Sequence, residues 1–361
     1  MPQQTTIAAV ILAGGYGTRL WPLSRRNRPK QFIRFDGELS LFGNTLARAA
    51  ALTDRITVVT ALELKQLTSA ELQGENGVQV LLEPVGRQTA PSAGLAALSY
   101  LIAGSDPILL IMPADHHIRN TRDFTAAMRN AVALAERENA LVCAGKKAVS
   151  PETGFGYLRA EPGGRITRFV EKPPRTQAEE FVKTGQYRWN TGIFAVRASV
   201  LLDEIKTRLP EVYSVLEKIK TASRASLLNT EAVARMFGKM PAVSIDAGLM
   251  QHNPRAFAVE AQFDWNDVGS WQGVYEISAK DRAGNAALGD VRHNGCTDCL
   301  LISESGLLAA QGLAGMALIQ TADATLACPL SQTQAVREIT RELAEQNRPE
   351  LDFPSDGAAH D

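Results

Sequence analysis

A chain of 361 residues is longer than an ordinary single domain, so one large domain with a smaller companion is the opening expectation. Hydrophobic residues make up 45% and charged residues 21%, which leaves ample apolar surface for a core and argues against disorder. Lysine and arginine total 38 against 39 acidic residues, and the resulting net charge of −1 argues against nucleic acid as a partner.

The first six residues carry no basic stretch followed by an apolar one, and no apolar run approaches the ~20 residues of a membrane span. A cytoplasmic chain with no membrane partner is therefore expected. Residues 7–12 read as a buried strand closed by Gly14 and Gly15, and residues 55–60 as a β-branched strand followed by a helical stretch over 62–72. A strand over 78–82 leads to an Ala- and Leu-rich helix over 89–102, with Pro91 in its first turn where proline is tolerated. Residues 108–112 are apolar at every position, as in a central parallel strand covered on both faces. A helix over 121–139 and a strand over 141–144 follow. This alternation predicts an α/β fold: a Rossmann-like, mostly parallel central sheet with helices on both faces. Ligands of such sheets sit beyond the carboxyl ends of the strands.

From 150 to 280 the pattern is mixed, with turn clusters at Gly154-Phe155-Gly156 and Pro173-Pro174 and helices near 198–220 and 227–237. A segment of this kind commonly builds a second wall of a cleft. Asp281 to Asn285 reads as a linker, dividing a domain over 1–282 from a small β-rich C-terminal domain over 283–361. In the latter, 286–328 read as short strands punctuated by glycines, 333–346 as a closing helix, and the polar tail after Arg348 as frayed. No internal repeat is apparent. Cys296 and Cys299 have metal-like spacing, yet no second such pair and no paired histidines accompany them, so they and Cys143 and Cys328 read as buried reduced thiols rather than a zinc site or a redox pair.

The strongest local signal follows the first strand, from Leu12 and Ala13 through Gly14, Gly15, Tyr16, Gly17, Thr18 and Arg19. Glycines let a backbone approach phosphate oxygens, and Arg19 and Lys30 supply cations for a polyphosphate. A dinucleotide fingerprint needs a third glycine where Leu20 stands, although Asp36 lies at a suitable distance; a Walker A loop needs Gly-Lys-Ser/Thr, which is absent. Asp115 lies just past the central strand, and Asp264 and Asp267 lie far along the chain between aromatics. In an extended segment these two face opposite sides, so one of them can join Asp115 around a Mg²⁺ ion, whose hard charge prefers carboxylate, water and phosphate oxygens. Glu171-Lys172 offers a hydroxyl acceptor beside a phosphate cation, and Asn190 an amide for sugar hydroxyls. His116 and His117 are adjacent, diverge, and read as positioning or surface groups.

Together these segments resemble the sugar-1-phosphate nucleotidyltransferase family, most closely its bacterial mannose-1-phosphate guanylyltransferase branch. The resemblance rests on Leu12 to Arg19 with Trp21-Pro22-Leu23-Ser24 and Pro29-Lys30-Gln31-Phe32, then Glu83-Pro84 with Gly86-Arg87. It continues through Pro113 to His116, Gly154 to Tyr157, Glu171-Lys172-Pro173, Asn190-Thr191-Gly192, Ser244-Ile245-Asp246 and Trp265 to Trp271. It implies that Leu12, Ala13, Gly14, Gly15, Gly17 and Thr18 line the nucleotide and that Arg19 and Lys30 hold the triphosphate. It places Glu83 and Arg87 near base and ribose, Asp115 and Asp267 on Mg²⁺, Gly156, Glu171 and Asn190 on mannose, and Lys172 on the sugar phosphate. GTP and mannose 1-phosphate are the implied partners, GDP-mannose and pyrophosphate the implied products. The β-rich piece is similar to the extension of the stand-alone branch, which implies a homodimer. The family usually has Asn where this chain has Gln88, and Tyr and Glu where it has Ala247 and Gln251. A guanylyltransferase for a related sugar such as a manno-heptose, a non-catalytic nucleotide-sugar sensor and a nicotinamide-dependent dehydrogenase are the competing readings.

Overall fold

The computed structural model describes residues 5–15, 17–35, 37–75, 77–222, 228 and 230–352, without the Thr18 side chain. Tyr16, Asp36, residue 227 and the tail from 353 lie outside the described residues. The chain divides into two compact units: one from residues up to 14, 45–114 and 118–265, the other from 15–44, 115–117 and 266 onward.

The first unit is built on a mixed sheet. Strands β1 (Ile7–Leu12), β2 (Ile56–Ala61), β3 (Gln79–Glu83) and β4 (Ile108–Pro113) run parallel in the order β3-β2-β1-β4. The order continues through β8 (Arg188–Arg197), β5 (Val142–Lys147) and β9 (Phe257–Glu260). Strand β8 runs antiparallel to both β4 and β5, so the sheet is parallel only in its larger part. A hairpin of β6 (Tyr157–Ala160) and β7 (Ile166–Val170) joins through β6 to β8. Residues Ile108 to Met112 are at most 2% exposed, which is why that strand carries no polar side chain.

Helix α1 (Leu41–Ala50) leads into this unit, and α2 (Lys65–Glu71) follows a short 3₁₀ turn after β2. Helix α3 (Thr89–Ile102) spans the predicted residues and is buried from Ala90 to Tyr100. A Cβ on its Gly94 would lie 2.9 Å from Leu216 and 3.0 Å from Ile205, so glycine there permits close helix packing. Those neighbours sit on α6 (Ala198–Arg208) and α7 (Pro210–Ala222), two helices where the sequence pattern reads as one. The break falls at Pro210, which lacks an N–H and suits a first helical position. Helix α4 (Thr121–Glu138) is N-capped by Asn120 and ends at Asn139 in the left-handed region, and it packs against β5, β8 and β9. Helix α5 (Arg175–Thr184) precedes β8, and α8 (Glu231–Phe237) starts at its Thr230 cap.

The second unit begins within the glycine loop, at Gly15, and returns with α9 (Trp271–Ile277) and a coil of short strands. These are β10 (Ala286–Leu288), β11 (Val291–Asn294), β12 (Leu300–Ser303), β13 (Leu308–Gln311), β14 (Met316–Gln320) and β15 (Thr325–Pro329), closed by α10 (Val336–Glu345). Strands β10, β12 and β14 pair in parallel, as do β11 and β13; β15 alone is antiparallel. Val291 lies beside Leu308 and Leu300 beside Ala317, an offset of 17 residues each time. Left-handed residues recur at the same interval, in Gly289 and Gly306, Gly295 and Gly312, Asp298 and Gly315. An internal repeat is therefore present, contrary to the reading of the sequence. It is carried by backbone conformation, with aspartate standing once where glycine stands next, so residue identities conceal it.

Cys296 and Cys299 are buried within the coil, their thiols donating to the carbonyls of Asn294 and Thr297. Asp281 to Asn285 forms a closed turn in which the Asp281 carboxylate accepts the Ala283 and Asn285 N–H groups. Residues 349–351 form a 3₁₀ turn with Leu351 buried, so fraying does not begin at Arg348. Among the described residues no helix is long and apolar enough to cross a membrane.

Candidate active site

In the second unit Lys30 sits on a short 3₁₀ turn after Pro29, with its side chain 8% exposed. Its Nζ lies 2.8 Å from Asp115 Oδ2 and donates to the main-chain carbonyl of Asp267 at 2.6 Å. The ammonium thus meets the side chain of one aspartate and the main chain of another, 152 positions apart in the chain. Burial works against ionisation of Asp115, but the Lys30 ammonium and the His116 imidazole hold its carboxyl below the usual carboxylate range. Gly17 packs on the same lysine: a Cβ there would stand 2.5 Å from Lys30 Cβ, at a φ of +59°. The carbonyl of Gly15 accepts from Gln31 Nε2 at 2.9 Å, which ties the glycine loop to the Lys30 turn. Arg19 stands exposed on the adjoining 3₁₀ turn. His116 and His117 are 8% and 7% exposed, so they are buried rather than surface groups; His117 pairs its backbone with Asn266.

The two candidate acids of the late aromatic segment have different partners. Asp264 accepts the N–H groups of Arg119 and Asn120 and so fixes the turn before α4. Asp267 closes its own turn by accepting the Gly269 N–H at 3.1 Å. Asp115 and Asp267 carry the hard oxygen donors that a divalent cation takes, and Lys30 bonds the carboxylate of the first and the main-chain carbonyl of the second. Among the described residues no cluster of three or more His, Cys, Asp or Glu side chains is placed to hold a metal. An ion at this pair would therefore complete its shell with water and phosphate oxygens.

In the first unit Leu12 ends β1 with its carbonyl accepting from Ala114, and Ala13 is buried with its N–H on Val59. Glu83 ends β3 beneath Gly14, whose added Cβ would be 3.0 Å from Glu83 Oε2. Glu83 is 4% exposed and bonded to Ser92; burial pushes its carboxyl up to about 7, against the pull of that bond. Arg87 donates to the Gly238 carbonyl at the end of α8, so its guanidinium is partly committed to the fold.

A third group lies at the hairpin and β8. Pairing of β5 with β8 is irregular between Cys143 and Gly145, and the extra residues around Thr191 and Gly192 bulge there, next to Asn190. The Asn190 N–H bonds the Gly156 carbonyl at 2.7 Å. A Cβ on Gly156 would meet Glu171 Oε2 at 2.7 Å and Asn190 Cβ at 3.4 Å, so the three predicted sugar residues are in contact. Lys172 Nζ lies 3.2 Å from Glu171 Oε1, with 61% of the lysine side chain exposed. Burial and the neighbouring Asp246 charge raise the Glu171 carboxyl, and Lys172 opposes them. Phe155 packs edge-on against Trp189 and Trp265 beside this group.

Backbone strain picks out the same places without reference to motifs. Apart from glycine and the tolerant Asn, Asp and His, the described residues with positive φ are Gln88, Lys172 and Val268. Each is, or adjoins, a predicted site residue: Arg87, Lys172 itself, and Asp267. Such conformations persist only where the surroundings enforce them, and they concentrate at functional sites. Asp246, quoted in the sequence reading only as part of a motif, also joins the site, through a hydrogen bond from Asn190.

Residues 8–284 match the Nucleotidyl transferase family, and residues 295–343 match the MannoseP isomerase/GMP-like beta-helix domain. The chain is 37% identical over 354 residues to the mannose-1-phosphate guanylyltransferase RfbM of Salmonella typhimurium, covering 94% of this chain and 73% of that protein. It is 37% identical over 353 residues to the alginate biosynthesis protein AlgA of Pseudomonas aeruginosa, with the same coverage. A crystal structure from Thermus thermophilus, described as a mannose-1-phosphate geranyltransferase, aligns with a TM-score of 0.84 and 31% identity over 94% of this chain and 99% of its own. Family match, relatives and fold agree: the chain is an enzyme of the nucleotidyltransferase family, with bacterial mannose-1-phosphate guanylyltransferases among its relatives.

Proposed function

We propose that the enzyme transfers GMP from GTP to α-D-mannose 1-phosphate, giving GDP-mannose and pyrophosphate. The observation that carries this reading is the Lys30 ammonium, paired with the Asp115 carboxylate and bonded to the Asp267 main chain, which gathers the predicted triphosphate cation and both predicted metal-binding residues at one point. The names of the relatives support the sugar and the nucleotide. An oxygen of the sugar phosphate attacks the α-phosphorus in line; the bond from that phosphorus to the bridging oxygen breaks, and the electron pair leaves with pyrophosphate. A phosphate monoester is already a competent nucleophile near neutral pH, so no general base is required. Lys30 and Arg19 neutralise triphosphate charge and hold the nucleotide, while Asn190 and Glu171 bind sugar hydroxyls and Lys172 the sugar phosphate. Glu83 and Arg87 serve the nucleoside end. A magnesium ion held by Asp115 and Asp267 would neutralise charge on phosphate oxygens, as in other phosphoryl transfers. The test is pyrophosphate release with a panel of sugar 1-phosphates against GTP, ATP, UTP and dTTP. Fastest release with mannose 1-phosphate and GTP is expected; release with no pairing, or only with another nucleotide, overturns the proposal.

A further inference from the structure

We infer that Asp246 is a positioning residue that fixes the Asn190 amide and so sets the hydrogen-bonding pattern offered to the sugar. The inference rests on the reading that the Gly156, Glu171 and Asn190 group takes the sugar phosphate. Asn190 is 7% exposed, and both ends of its amide are engaged. Its Nδ2 donates to Asp246 Oδ1, and its Oδ1 accepts the Gly192 N–H at 3.1 Å. A carboxylate at neutral pH only accepts and a backbone N–H only donates, so the two neighbours agree on one amide orientation. One N–H and one lone pair of Asn190 then remain for a ligand, beside the Glu171 carboxylate. Without Asp246 the Gly192 N–H alone would hold the amide, and the donor end would lose the partner that fixes its direction.

Asp246 is itself held in place. It opens a five-residue π-type turn, Asp246–Met250, a rare local geometry that is frequent at functional sites. The residues before it dock on the start of α3: Ile245 N–H donates to Thr89 Oγ1 at 2.8 Å, and the Val243 carbonyl accepts from Ala90 at 3.1 Å. Val243 N–H in turn reaches the Arg87 carbonyl at 3.2 Å. The strand-end segment carrying Glu83 and Arg87 therefore sets where Asp246 stands. Burial holds the Asp246 carboxyl above its usual range, against the opposing pull of its backbone bond, the bond from Asn190 and the Lys172 charge.

The experiment is steady-state kinetics on Asp246→Asn, Asp246→Ala and Asn190→Ala, varying each substrate in turn. Asp246→Asn keeps the shape but can present an NH₂ group to the Asn190 amide. The KM for mannose 1-phosphate should rise ~10- to 100-fold, the loss typical of a charge-assisted hydrogen bond, while the KM for GTP stays within about twofold. Discrimination against glucose 1-phosphate, which differs at one hydroxyl, should narrow in the same variants. Should the Asn variant not fold, Asp246→Ala removes the acceptor from the Asn190 Nδ2 and is read by the same kinetics. If Asn190→Ala raises the sugar-phosphate KM and neither Asp246 variant does, the inference fails alone. If Asn190→Ala leaves that KM unchanged, the assignment of the sugar group fails with it. A loss shared equally between both substrates would make Asp246 merely structural and also overturns the inference.

Discussion

Gly17 is the loop glycine that no other residue replaces. Its φ of +59° suits glycine, and an added Cβ would collide with Lys30 Cβ at 2.5 Å. Gly15, in the same loop, has open space on that side. Gly17→Ala should displace Lys30 from Asp115 and Asp267 and lower kcat/KM for pyrophosphate release ~10- to 100-fold, with circular dichroism unchanged. Gln88 carries strain of another kind: its φ of 63° and ψ of −169° belong to a region reserved almost wholly for glycine. Gln88→Gly should raise the melting temperature by a few degrees, for a gain of about 1 kcal/mol, and a lower value would show that the side chain is needed for the turn. Glu83 supplies the pH test. With its carboxyl pushed up to about 7, it stays protonated in the folded chain while the unfolded chain ionises near 4.5. Its contribution to stability is therefore complete below about pH 4.5 and is lost as pH rises through about 7, on the order of 3 kcal/mol in all. Urea midpoints measured from pH 5 to 8 should fall more steeply for the wild type than for Glu83→Gln; equal slopes would mean Glu83 ionises normally.

At the scale of elements, what was legible in the sequence is what local periodicity encodes. The uninterrupted apolar run of β4 and the extent of α3 follow from burial on all sides, which leaves no polar position to misread. Asp115 could be placed because it follows directly on β4. The direction of β8 could not be read, since antiparallel pairing to β4 and β5 is decided by a connection through the β6–β7 hairpin rather than by any local pattern. The 17-residue recurrence was hidden for a related reason: strands of four residues hold too few side chains to repeat visibly, and the period lies in left-handed backbone. The same limit applies within the site. Asn190 and Glu171 were visible as chemistry, whereas the bond from Asn190 to Asp246 joins residues 56 apart and exists only once β8 has paired.

For the molecule as a whole, the C-terminal strands matter to chemistry through a core they share with the Lys30 segment. Leu300, Ile302, Ala317, Ile319 and Leu326 pack in one cluster with Leu20, Trp21, Leu23, Ile33 and Phe35, and with Val268, Trp271 and Val274. That cluster carries Lys30 on one side of its sequence and Asp267 on the other. Trp271 Nε1 donates to the Trp21 carbonyl at 3.0 Å, joining the two segments directly. Arg25, fully buried, ties the Trp21 turn to Asp323 with a pair of bonds at 2.7 and 3.0 Å. The coil is thus the floor on which the Lys30, Asp115 and Asp267 geometry stands. Leu300 is fully buried in that cluster and is none of the predicted site residues, so Leu300→Ala tests that role. Truncation of a buried leucine costs about 2–5 kcal/mol, and each kcal/mol lowers the transition by roughly 2–4 °C in a domain of ~150–250 residues. The temperature of half-inactivation of pyrophosphate release should therefore drop by roughly 5–15 °C, with kcat/KM at 20 °C within about twofold of wild type. An unchanged inactivation temperature would detach the coil from the charge cluster, and a collapse of activity already at 20 °C would mean that the floor sets the geometry of the site as well as its endurance.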